Sequence, residues 1–579
     1  MFKPQTSPQT LTAATGAGLH PQANAFRDCR NLDGLWRFRV DWNDEGEDAG
    51  WFKQPLRGRD VFDIPVPSSY NDLFADTAIR DHVGRVWYEC EFFIPIGWER
   101  KSLHLRFDAV THHAIVWLDG AEIGRHSGGF LPFAFDITGR AAAGRMQRLT
   151  VCVDNRLDFT CLPGGELTTR PDGSRPGEER PHQIIHFDFF NYSGIHRPVR
   201  LLALPETHLR GLQIVPRREG READTWSVSI TPAIHPAPCR WQVVIRSPDG
   251  ALLAEHEPTS ESSLSLPVRQ PQLWQPGEGN LHTAEITLLD DAGAPIDRYE
   301  ETFGFRTVRV TETEFLINER PFYFRGFGKH EDAETHGRGL DLAHLVHDFS
   351  LLKWIGANSV RTSHYPYSEE FVRFADRQGI VVIDEMPAVG FNDFRDTPIF
   401  CEEKVGSATL ARHLAVARDL IARDGNRPCV VMWSIGNEPA SHQPDAAAYF
   451  KAVAETTRAA DPTRPITLVE DRAPDQTLVS HLVDVICVNR YIGWYSFTAQ
   501  YDRIEPELEA DLRAWHTRFR KPVLIAEYGA DTVPGLHGVC EEFFTEEFQI
   551  ATLRRYHRVF DRLPFVTGEH VWNFADFAT

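Results

Sequence analysis

The sequence predicts a multidomain protein of mixed β and α/β class: a jelly-roll β-sandwich, an immunoglobulin-like β-sandwich and a (β/α)8 TIM barrel lacking its last helix. Three observations lead to this prediction. The chain has 579 residues, more than one hydrophobic core can serve. Short strand-like runs fill its first half, and from about residue 306 such runs alternate with helix-length amphipathic segments. We therefore expect domains at residues 1–205, 206–305 and 306–579.

The first domain has the rhythm of an all-β unit. Leu103, Leu105 and Phe107 alternate with polar residues, as a half-buried strand requires. Asp119-Gly120 lies between two apolar runs, which is a strong signal for a hairpin. Because no amphipathic helix of useful length is visible before residue 205, we expect a sandwich of the jelly-roll type.

The second domain is shorter and again consists of strand-like runs. The runs WSVSI, WQVVIRS and AEITLL are separated by turn sequences such as Pro248-Asp249-Gly250. About a hundred residues with this spacing are typical of an immunoglobulin-like sandwich.

The third domain shows eight apolar runs with helix-length segments between them. Five apolar residues between the first two runs keep helical spacing: Leu342, Leu345, Val346, Phe349 and Leu352. This alternation predicts a (β/α)8 barrel. The eight runs are FYFRGFG (322–328), SVRTS (359–363), IVVIDE (380–385), VVMWSIG (430–436), ITLVED (466–471), VICVNRY (485–491), VLIAEYG (523–529) and VTGEHVWNF (566–574).

Composition narrows the function classes. The formal charge of −21 and the pI near 5.6 argue against general binding to nucleic acid or anionic membranes. No secretory signal starts the chain, and no apolar run is long enough to span a bilayer. The nine cysteines are scattered without a CxxC pair, which favours a reduced compartment. We expect a cytoplasmic protein with neither nucleic acid nor membrane as partner.

The candidate catalytic and binding residues are found at the ends of the barrel strands, because active sites of such barrels lie at the C-terminal ends of the strands. No serine or cysteine nucleophile stands out among them. The ring of candidates comprises His330 and Glu331, Arg361 and His364, Asp384 and Glu385, Asn437 and Glu438, Asn489 and Tyr491, Glu527, and Trp572.

Two glutamates on strands four and seven suit the hydrolysis of a glycosidic bond. A retaining mechanism needs two carboxyl groups roughly 5–5.5 Å apart, one to attack the anomeric carbon and one to move the proton. A single glutamate at a strand end is more often a salt-bridge or rim residue, but the pair predicts a catalytic role for Glu438 and Glu527. Trp572 would offer an apolar face to the sugar, and Asn437 a hydrogen bond to its 2-hydroxyl.

The other candidates have competing interpretations. His330 and His364 could contact the substrate or be satisfied core histidines. Arg361 could contact the substrate or brace neighbouring acids, with Asp384-Glu385 as its structural partners, and Asn489 is a further predicted substrate contact. The two histidines of HEDAETH are six residues apart, which is not helix-face ligand spacing. We expect neither a metal nor a cofactor.

Six segments of the barrel form extended motifs: GFGKHEDAE (326–334), RTSHYPY (361–367), VMWSIGNEP (431–439), VNRYIGWY (488–495), IAEYGADT (525–532) and GEHVWNFADF (568–577). Two segments of the first domain, RFDAVTHHAIVWLDG (106–120) and FDFFNYSGIHR (187–197), accompany them. Together these motifs resemble those of the β-glucuronidases of glycoside hydrolase family 2. The resemblance implies a sugar-binding jelly roll, an immunoglobulin-like sandwich and a (β/α)8 barrel.

Carried over residue by residue, the resemblance makes Glu438 the acid/base and Glu527 the nucleophile. The other roles that it implies concern the substrate. Asn437 would bind the 2-hydroxyl, Asp188 would reach from the jelly roll to sugar hydroxyls, His330 and Trp572 would line the sugar subsite, Tyr491 would orient the nucleophile, and Tyr495 would help to hold the uronate carboxylate. The family needs no cofactor and is commonly oligomeric, so we expect a homo-oligomer, with a tetramer as one option.

The chain departs from the family pattern in three places. Phe187 stands where the family usually has histidine, and Ile492 where it usually has tyrosine. The family's Asn-x-Lys pair for the carboxylate follows the last motif, and we expect the native protein to continue beyond Thr579 with that pair and the eighth barrel helix. Within the sequence given, Arg490 is either the nearest cation for the carboxylate or a backbone-bracing arginine.

The predicted function is the hydrolysis of β-D-glucuronides with retention, on a small-molecule substrate. A β-galacturonidase or β-galactosidase of the same fold is the nearest alternative, although Asn489-Arg490-Tyr491 with Gly493-Trp494-Tyr495 favours the uronidase. A non-catalytic carbohydrate-binding scaffold is the alternative from a different class. The presence of both glutamates argues against it.

Overall fold

Two sandwiches of antiparallel sheets and one closed eight-stranded barrel follow each other along the chain in the computed structural model. The structure describes residues 18–171, 179–220, 224–236, 238–392, 394–395 and 397–579. The start of the chain, where the sequence shows no secretory signal, lies outside these residues. Among the described helices, none combines the length and the apolar character that crossing a bilayer demands.

The first sandwich pairs a six-stranded sheet, in the order β3-β2-β4-β9-β6-β7, with a four-stranded sheet, in the order β1-β12-β5-β8, and β10 and β11 form a separate ribbon. One short helix, α1 (Thr77–Arg80), accompanies them. The strands are β1 (Asp28–Asn31), β2 (Gly34–Asp41), β3 (Phe62–Val66), β4 (Arg85–Phe93), β5 (Ser102–Phe107), β6 (His113–Leu118), β7 (Ala121–Ser127), β8 (Phe133–Asp136), β9 (Met146–Asp154), β10 (Gly165–Pro171), β11 (Glu179–Ile185) and β12 (Val199–Leu204).

The core of this sandwich comes from the alternation seen in the sequence. Successive side chains of a strand point to opposite faces, and Leu103, Leu105 and Phe107 of β5 are all buried in one apolar cluster between the sheets. The predicted hairpin is also present, since β6 and β7 pair around the turn at Asp119-Gly120.

The second sandwich packs sheet β13-β14-β17 against sheet β16-β15-β18-β19. Its apolar core contains Trp226 and Trp241. The strands are β13 (His208–Arg218), β14 (Thr225–His235), β15 (Arg240–Arg246), β16 (Leu252–Thr259), β17 (Leu264–Arg269), β18 (His282–Leu289) and β19 (Pro295–Phe303). We keep the predicted limits of 1–205, 206–305 and 306–579 as our proposal for the domain boundaries.

The barrel follows a small sheet made of β20 (Val308–Val310), β21 (Phe315–Ile317) and β22 (Arg320–Pro321). Its eight strands are parallel, and the last pairs with the first, so that the predicted (β/α)8 architecture is confirmed. They are β23 (Phe324–Gly328), β24 (Ser359–Arg361), β25 (Val381–Glu385), β26 (Val430–Asn437), β27 (Ile466–Glu470), β28 (Ile486–Asn489), β29 (Val523–Tyr528) and β30 (Val566–Val571).

Six helices surround the barrel: α2 (Leu342–Trp354), α3 (Glu369–Gln378), α4 (Ser407–Asp424), α5 (Pro444–Ala460), α6 (Tyr501–Phe519) and α7 (Glu546–Phe560). Three of them, α2, α3 and α7, begin at a side-chain N-cap. For example, the hydroxyl of Ser368 accepts the N–H of Phe371 at the start of α3, and Gly379, with φ +67°, ends it. These are standard N-cap and left-handed C-cap arrangements. No helix occurs among residues 572–579, which the structure describes in full.

One connection differs from the prediction of a helix between every pair of strands. Only a 3-10 turn (Ser480–Leu482) joins β27 to β28. The hydroxyls of Thr477 and Ser480 donate to the buried carboxylate of Glu470, over 2.6 and 2.8 Å, and the N–H of Ser480 donates to the hydroxyl of Thr477. Such local side-chain bonds compete with helix formation.

Ion pairs join the three domains. Arg106 and Arg200 of the first sandwich bind Glu369 and Glu370 at the start of α3. Arg427 of the barrel, which is 2% exposed, binds Glu301 of the second sandwich and Asp376 of α3. Because a buried ion is costly without its partner, these contacts fix how the sandwiches sit on the barrel.

We predict that Arg427→Met destabilises the protein by about 3–5 kcal/mol, since it removes the guanidinium that binds buried Asp376 and leaves buried Glu301 with Arg373 as its remaining arginine partner among the described residues. Urea denaturation followed by tryptophan fluorescence should show its first transition at lower urea. The matched control is Arg309→Met, which removes an exposed pair with Glu319 and should leave the transition in place. An unchanged transition in Arg427→Met would contradict this assignment.

Candidate active site

A cavity of about 610 Å³ opens at the C-terminal ends of the barrel strands. This volume lies within the range of small-molecule sites. Its wall combines barrel residues with residues 185–188 of the first sandwich, which are the last residue of β11 and the start of the loop after it. The predicted site residues in the wall are Asp188, His364, Asn437, Glu438, Asn489, Tyr491, Tyr495, Glu527 and Trp572. The site is therefore built by two domains.

A larger groove of about 920 Å³ lies between the second sandwich and the barrel. Its acidic lining residues are Asp419 and Asp461. Asp461 is already bound by Trp433, Thr463 and Arg464. A carboxyl pair for chemistry is therefore found in the smaller cavity.

Glu438 stands directly after β26, whose eight residues are all buried. Its backbone has φ +46°, and its N–H donates to the carbonyl of Val469 over 2.8 Å. A non-glycine residue with positive φ is uncommon and often marks a functional position. The amide of Asn489 donates to Oε1 of Glu438 over 2.6 Å. The strand thus delivers this carboxyl to the cavity wall, where an amide orients it.

The surroundings of Glu438 favour its protonated form. Burial contributes most, followed by the negative charges of Glu527 and Asp471, and together they raise the pKa of Glu438 to about 8. The hydrogen bond from Asn489 acts in the opposite direction and is outweighed. A carboxyl group with this pKa carries its proton at neutral pH and can donate it.

Glu527 lies at the end of β29 and is 5% exposed. Its Oε1 accepts a hydrogen bond from Nη2 of Arg361, and its Oε2 accepts the hydroxyl of Tyr491 over 2.7 Å. Burial and then Glu527 raise the pKa of Tyr491 well above its usual value, so that Tyr491 stays a donor. Both oxygens of Glu527 are held in one orientation.

Arg361 lies beneath the cavity, with no exposed surface. Its Nη1 donates to both oxygens of Glu385, over 2.9 and 2.7 Å, while Nη2 holds Glu527. Two carboxylates occupy these donors, and Arg361 lies outside the cavity wall, while its contact with the substrate stays a prediction. The alternative interpretation, that it braces neighbouring acids, agrees with these contacts.

Glu385 is the second buried partner of Arg361. Burial opposes its charge, but Arg361, His364 and Ser434 outweigh burial and lower the pKa of Glu385 to about 2. Nδ1 of His364 lies 2.9 Å from Oε1 of Glu385. Its neighbour Asp384 contacts Thr362 instead, and burial and then Asp424 raise the pKa of Asp384 well above its usual value.

Aromatic rings form one side of the cavity. Trp572 stacks on His364, with ring centroids 5.2 Å apart and planes at 30°. His330 lies behind this wall, stacked on Phe577 at 4.3 Å, with Nδ1 at 3.1 Å from the hydroxyl of Tyr365. Trp572 and Phe577 pack on its ring, and the contact of His330 with the sugar stays a prediction.

Tyr495 and Asp188 also line the cavity. Tyr495 is 72% exposed, and its ring centroid lies 4.9 Å from that of Tyr491. Asp188 exposes its carboxylate to the cavity, as expected for a residue that reaches over from the first sandwich. Its contact with a sugar stays a prediction.

The amides and Arg490 occupy the floor between the glutamates. Nδ2 of Asn489 lies 3.3 Å from Oδ1 of Asn437, so that the two amides and Glu438 form one network.

Arg490 donates to Asp511 over 2.7 Å and to the carbonyl of Asn489 over 2.7 Å. It also donates to the carbonyls of Glu470, Asp471 and Arg472. These contacts support the interpretation of Arg490 as a backbone-bracing residue.

Sequence reasoning missed Asp471 in the wall of the cavity. It follows β27, the fifth barrel strand, and its Oδ2 lies 3.5 Å from the amide of Asn392. The sequence contains a signal for Asp471, because the fifth apolar run, ITLVED, ends on two acids at the rim where the other candidate residues lie. Glu331, by contrast, binds Arg197 over 2.8 Å and belongs to a domain contact.

Two of the three departures from the family pattern, Phe187 and Ile492, lie at the cavity. Phe187 is 9% exposed and packs on Phe189 with centroids 4.4 Å apart. Ile492 is 7% exposed, and its carbonyl accepts the hydroxyl of Tyr556 over 3.0 Å. Both line the wall through apolar atoms. Within the described residues, no group of three His, Cys, Asp or Glu side chains is placed to hold a metal ion.

Comparison with known proteins gives three matching family profiles. "Glycosyl hydrolases family 2, sugar binding domain" matches residues 29–205, "Glycosyl hydrolases family 2" matches residues 207–306, and "Glycosyl hydrolases family 2, TIM barrel domain" matches residues 308–579. A β-glucuronidase from Paenibacillus borealis is 45% identical over 562 residues, covering 97% of this chain and 93% of the relative.

Solved structures show the same similarity in three dimensions. A β-glucuronidase from an uncultured Clostridium species superposes with a TM-score of 0.89 at 45% identity, covering 96% of this chain and 93% of that one. A β-glucuronidase from Ruminococcus gnavus in complex with D-glucuronic acid superposes with a TM-score of 0.88 at 36% identity, covering 96% and 93%.

We predict that Asp471→Asn moves the alkaline limb of the pH profile of kcat/KM to lower pH. Glu438 has to be protonated to donate, so activity falls as pH rises through its pKa. Removing the charge of Asp471 takes away one cause of the raised pKa. Profiles of the wild type and the variant on an aryl glycoside provide the measurement. The control is Asp531→Asn, an exposed acid near Tyr495. Coincident alkaline limbs in wild type and Asp471→Asn would refute the role of Asp471.

Proposed function

Since this chain belongs to glycosyl hydrolases family 2 and is a glycoside hydrolase, we propose that it hydrolyses β-D-glucuronides to D-glucuronate and an alcohol, with retention at the anomeric carbon. The observation that carries this proposal is the difference between two carboxyl groups in one cavity. Glu438 keeps its proton at neutral pH, and Glu527 is bound by a guanidinium and a phenol.

In the first step, Glu527 attacks the anomeric carbon and the bond from that carbon to the aglycone oxygen breaks. Glu438 gives its proton to the departing oxygen, and the alcohol leaves. In the second step, Glu438 takes a proton from water as the water oxygen attacks the anomeric carbon, which releases glucuronate and the free carboxylate of Glu527.

The coupling between the two glutamates supports this change of role. The negative charge of Glu527 is the second-largest cause of the raised pKa of Glu438. Once Glu527 is esterified by the sugar, that charge is gone and the pKa of Glu438 falls. Glu438 is then a carboxylate that can act as a base, as the second step requires.

The surrounding residues would hold the sugar. We assign the 2-hydroxyl to Asn437, further hydroxyls to Asp188 and Asn489, and the sugar face to Trp572 and His364. Tyr491 would keep Glu527 oriented, and His330 and Arg361 would act through the residues that they support. The three proteins described above all carry the name β-glucuronidase, and the one from Ruminococcus gnavus is in complex with D-glucuronic acid, which favours a uronate in this cavity.

A β-galactosidase or β-galacturonidase is the second candidate, and one observation favours keeping it. The donors of Arg490 bind carbonyls and Asp511, so that Tyr495 remains as the predicted donor to the uronate carboxylate in the described wall.

We also keep two predictions from the sequence: a homo-oligomer, to be tested by light scattering, and a cytoplasmic location.

A panel of nitrophenyl β-glycosides tests the function directly. We expect turnover of the glucuronide to exceed that of the galacturonide and the galactoside. Preference for the galactoside would replace the glucuronidase by a β-galactosidase. The lack of turnover on every glycoside, with retained sugar binding, would favour the non-catalytic scaffold.

We predict that Glu527→Gln lowers kcat on 4-nitrophenyl β-D-glucuronide on the order of 10⁴-fold, because no covalent intermediate can form. The glutamine keeps the size of the side chain, so a matching thermal midpoint would show that the loss is chemical. A variant with more than about a tenth of wild-type kcat would exclude Glu527 as the nucleophile.

We predict that Glu438→Ala depends on the leaving group. Methyl β-D-glucuronide needs a proton on its departing oxygen, whereas nitrophenolate leaves well without one. The ratio of kcat/KM values, wild type over variant, should therefore be much larger for the methyl substrate. The two substrates serve as controls for each other, and equal losses on both would refute the role of Glu438 as the acid.

A further inference from the structure

Arg338 lies inside a cage of aromatic rings between the first sandwich and the barrel. Its side chain is 1% exposed. The guanidinium carbon lies 4.3 Å from the ring centroid of Tyr365, 5.3 Å from Phe189, 5.6 Å from Phe130 and 5.9 Å from Tyr192. Three of these rings belong to the first sandwich and one to the barrel. A cation over several ring faces is attracted to each of them, so that Arg338 ties the domains together at this point.

Hydrogen bonds continue this tie to the backbone of the first sandwich. Nη2 of Arg338 donates to the carbonyl of Phe190 over 3.2 Å. The N–H of Phe190 donates to the carbonyl of Ala578 over 2.8 Å, and the N–H of Ala578 donates to Asp332 over 3.1 Å. Nε of Arg338 lies 3.8 Å from the other oxygen of Asp332. Phe190 is thus held on both sides of its main chain.

Asp188 is two residues away from this anchored position. Its carboxylate is exposed in the cavity. Among the described residues, none donates a hydrogen bond to that carboxylate. The place of the carboxylate is therefore set by its backbone, which runs between Phe187, packed on Phe189, and the anchored Phe190.

We propose that Arg338 is a positioning residue, which holds residues 187–192 against the barrel and so places the carboxylate of Asp188 at the sugar. The inference rests on the proposed function, because Asp188 has a role only if the cavity binds a sugar. Arg338 itself is buried in the cage and is not part of the cavity wall.

The distances explain why such an anchor matters. A hydrogen bond between a carboxylate and a hydroxyl spans roughly 2.5–3.0 Å, so that a shift of about 1 Å removes most of it. Misplacement on this scale can lower a rate by about 10²-fold. The ring centroid of Phe189 also lies 5.1 Å from that of His330 and 6.2 Å from that of His364. Loss of Arg338 would therefore also act on the residues beneath Glu527. The experiment has to separate this second effect from the effect on Asp188.

A double-mutant cycle separates the effect of Arg338 on Asp188 from its effect on the residues beneath Glu527. Arg338→Met, Asp188→Ala and the double variant are compared with wild type in kcat/KM on 4-nitrophenyl β-D-glucuronide, with thermal midpoints in parallel. We expect Asp188→Ala to lower kcat/KM by about 10–150-fold, the loss of a charge-assisted hydrogen bond. Arg338→Met should lower it about tenfold in the wild type and less than about twofold in Asp188→Ala.

The matched control is Arg197→Met. Arg197 is another buried arginine between these domains, and it donates to the carbonyls of Phe130 and Pro366 and to Glu331, over 2.7, 2.8 and 2.8 Å. None of these residues belongs to the segment 187–192. This variant should lower the thermal midpoint as Arg338→Met does, with the same small change of kcat/KM in both backgrounds. A merely structural role of Arg338 would give the pattern of Arg197.

Equal losses from Arg338→Met with and without Asp188 would overturn the inference, and so would an unchanged kcat/KM in Asp188→Ala. Failure of the proposed function has a different signature, because the wild type would then prefer another glycoside, on which the same cycle is run. If Arg338→Met does not fold, Arg338→Lys takes its place, since it keeps the charge and loses the planar face. A smaller loss that still vanishes in Asp188→Ala supports the inference.

Discussion

The buried guanidinium of Arg361 is the contact on which the cavity depends. It has no exposed surface, and it joins Glu385 on β25 to Glu527 on β29. An unpaired charge at this depth would be very costly, so that each of the three groups requires the other two. His364 adds a further contact to Glu385. The position of Glu527 is therefore determined across the barrel, by strands far apart in sequence, and not by its own strand alone.

The carboxyl group of Glu438 lies in the same barrel but, among the described residues, is not paired with a cation. In the part of the chain that the structure describes, its side-chain donor is the neutral amide of Asn489, and the charges that act on its pKa most are the carboxylates of Glu527 and Asp471. Burial then favours the neutral acid, while the guanidinium of Arg361, hydrogen-bonded to both oxygens of Glu385, keeps Glu385 ionised. Two glutamates of one fold thus differ in protonation because of their neighbours, which is the basis of acid–base division in many enzymes.

The first sandwich belongs to the site as much as the barrel does. Its residues 185–188 form part of the wall, and they reach the barrel only because the domains are fixed against each other. The ion pairs from Arg106 and Arg200 to α3 and the aromatic cage of Arg338 supply that fixation. Substitutions at these distant residues would therefore shift residues 185–188 relative to the barrel, because they change how the two domains sit against each other.

Local patterns in the sequence are sufficient to predict the classes of the domains and the rim that carries the candidate residues. Period-two alternation, as in Leu103, Leu105 and Phe107, is a local property, and so is the change to alternating strands and helices near residue 306. Parallel barrel strands all end at the same rim. Reading their ends therefore brought Glu438, Glu527 and Trp572 together, although the fifth strand with Asp471 was passed over.

Only the tertiary structure decided the depth, the partners and the protonation of these residues. Arg361 and Glu527 are 166 positions apart in the chain, and their contact hides the arginine from the cavity. His330 is covered by Trp572 and Phe577 in the same way. Burial and charge at a point are sums over residues from distant segments, which no local pattern encodes. For that reason the raised pKa of Glu438 follows from the folded chain and not from its motif.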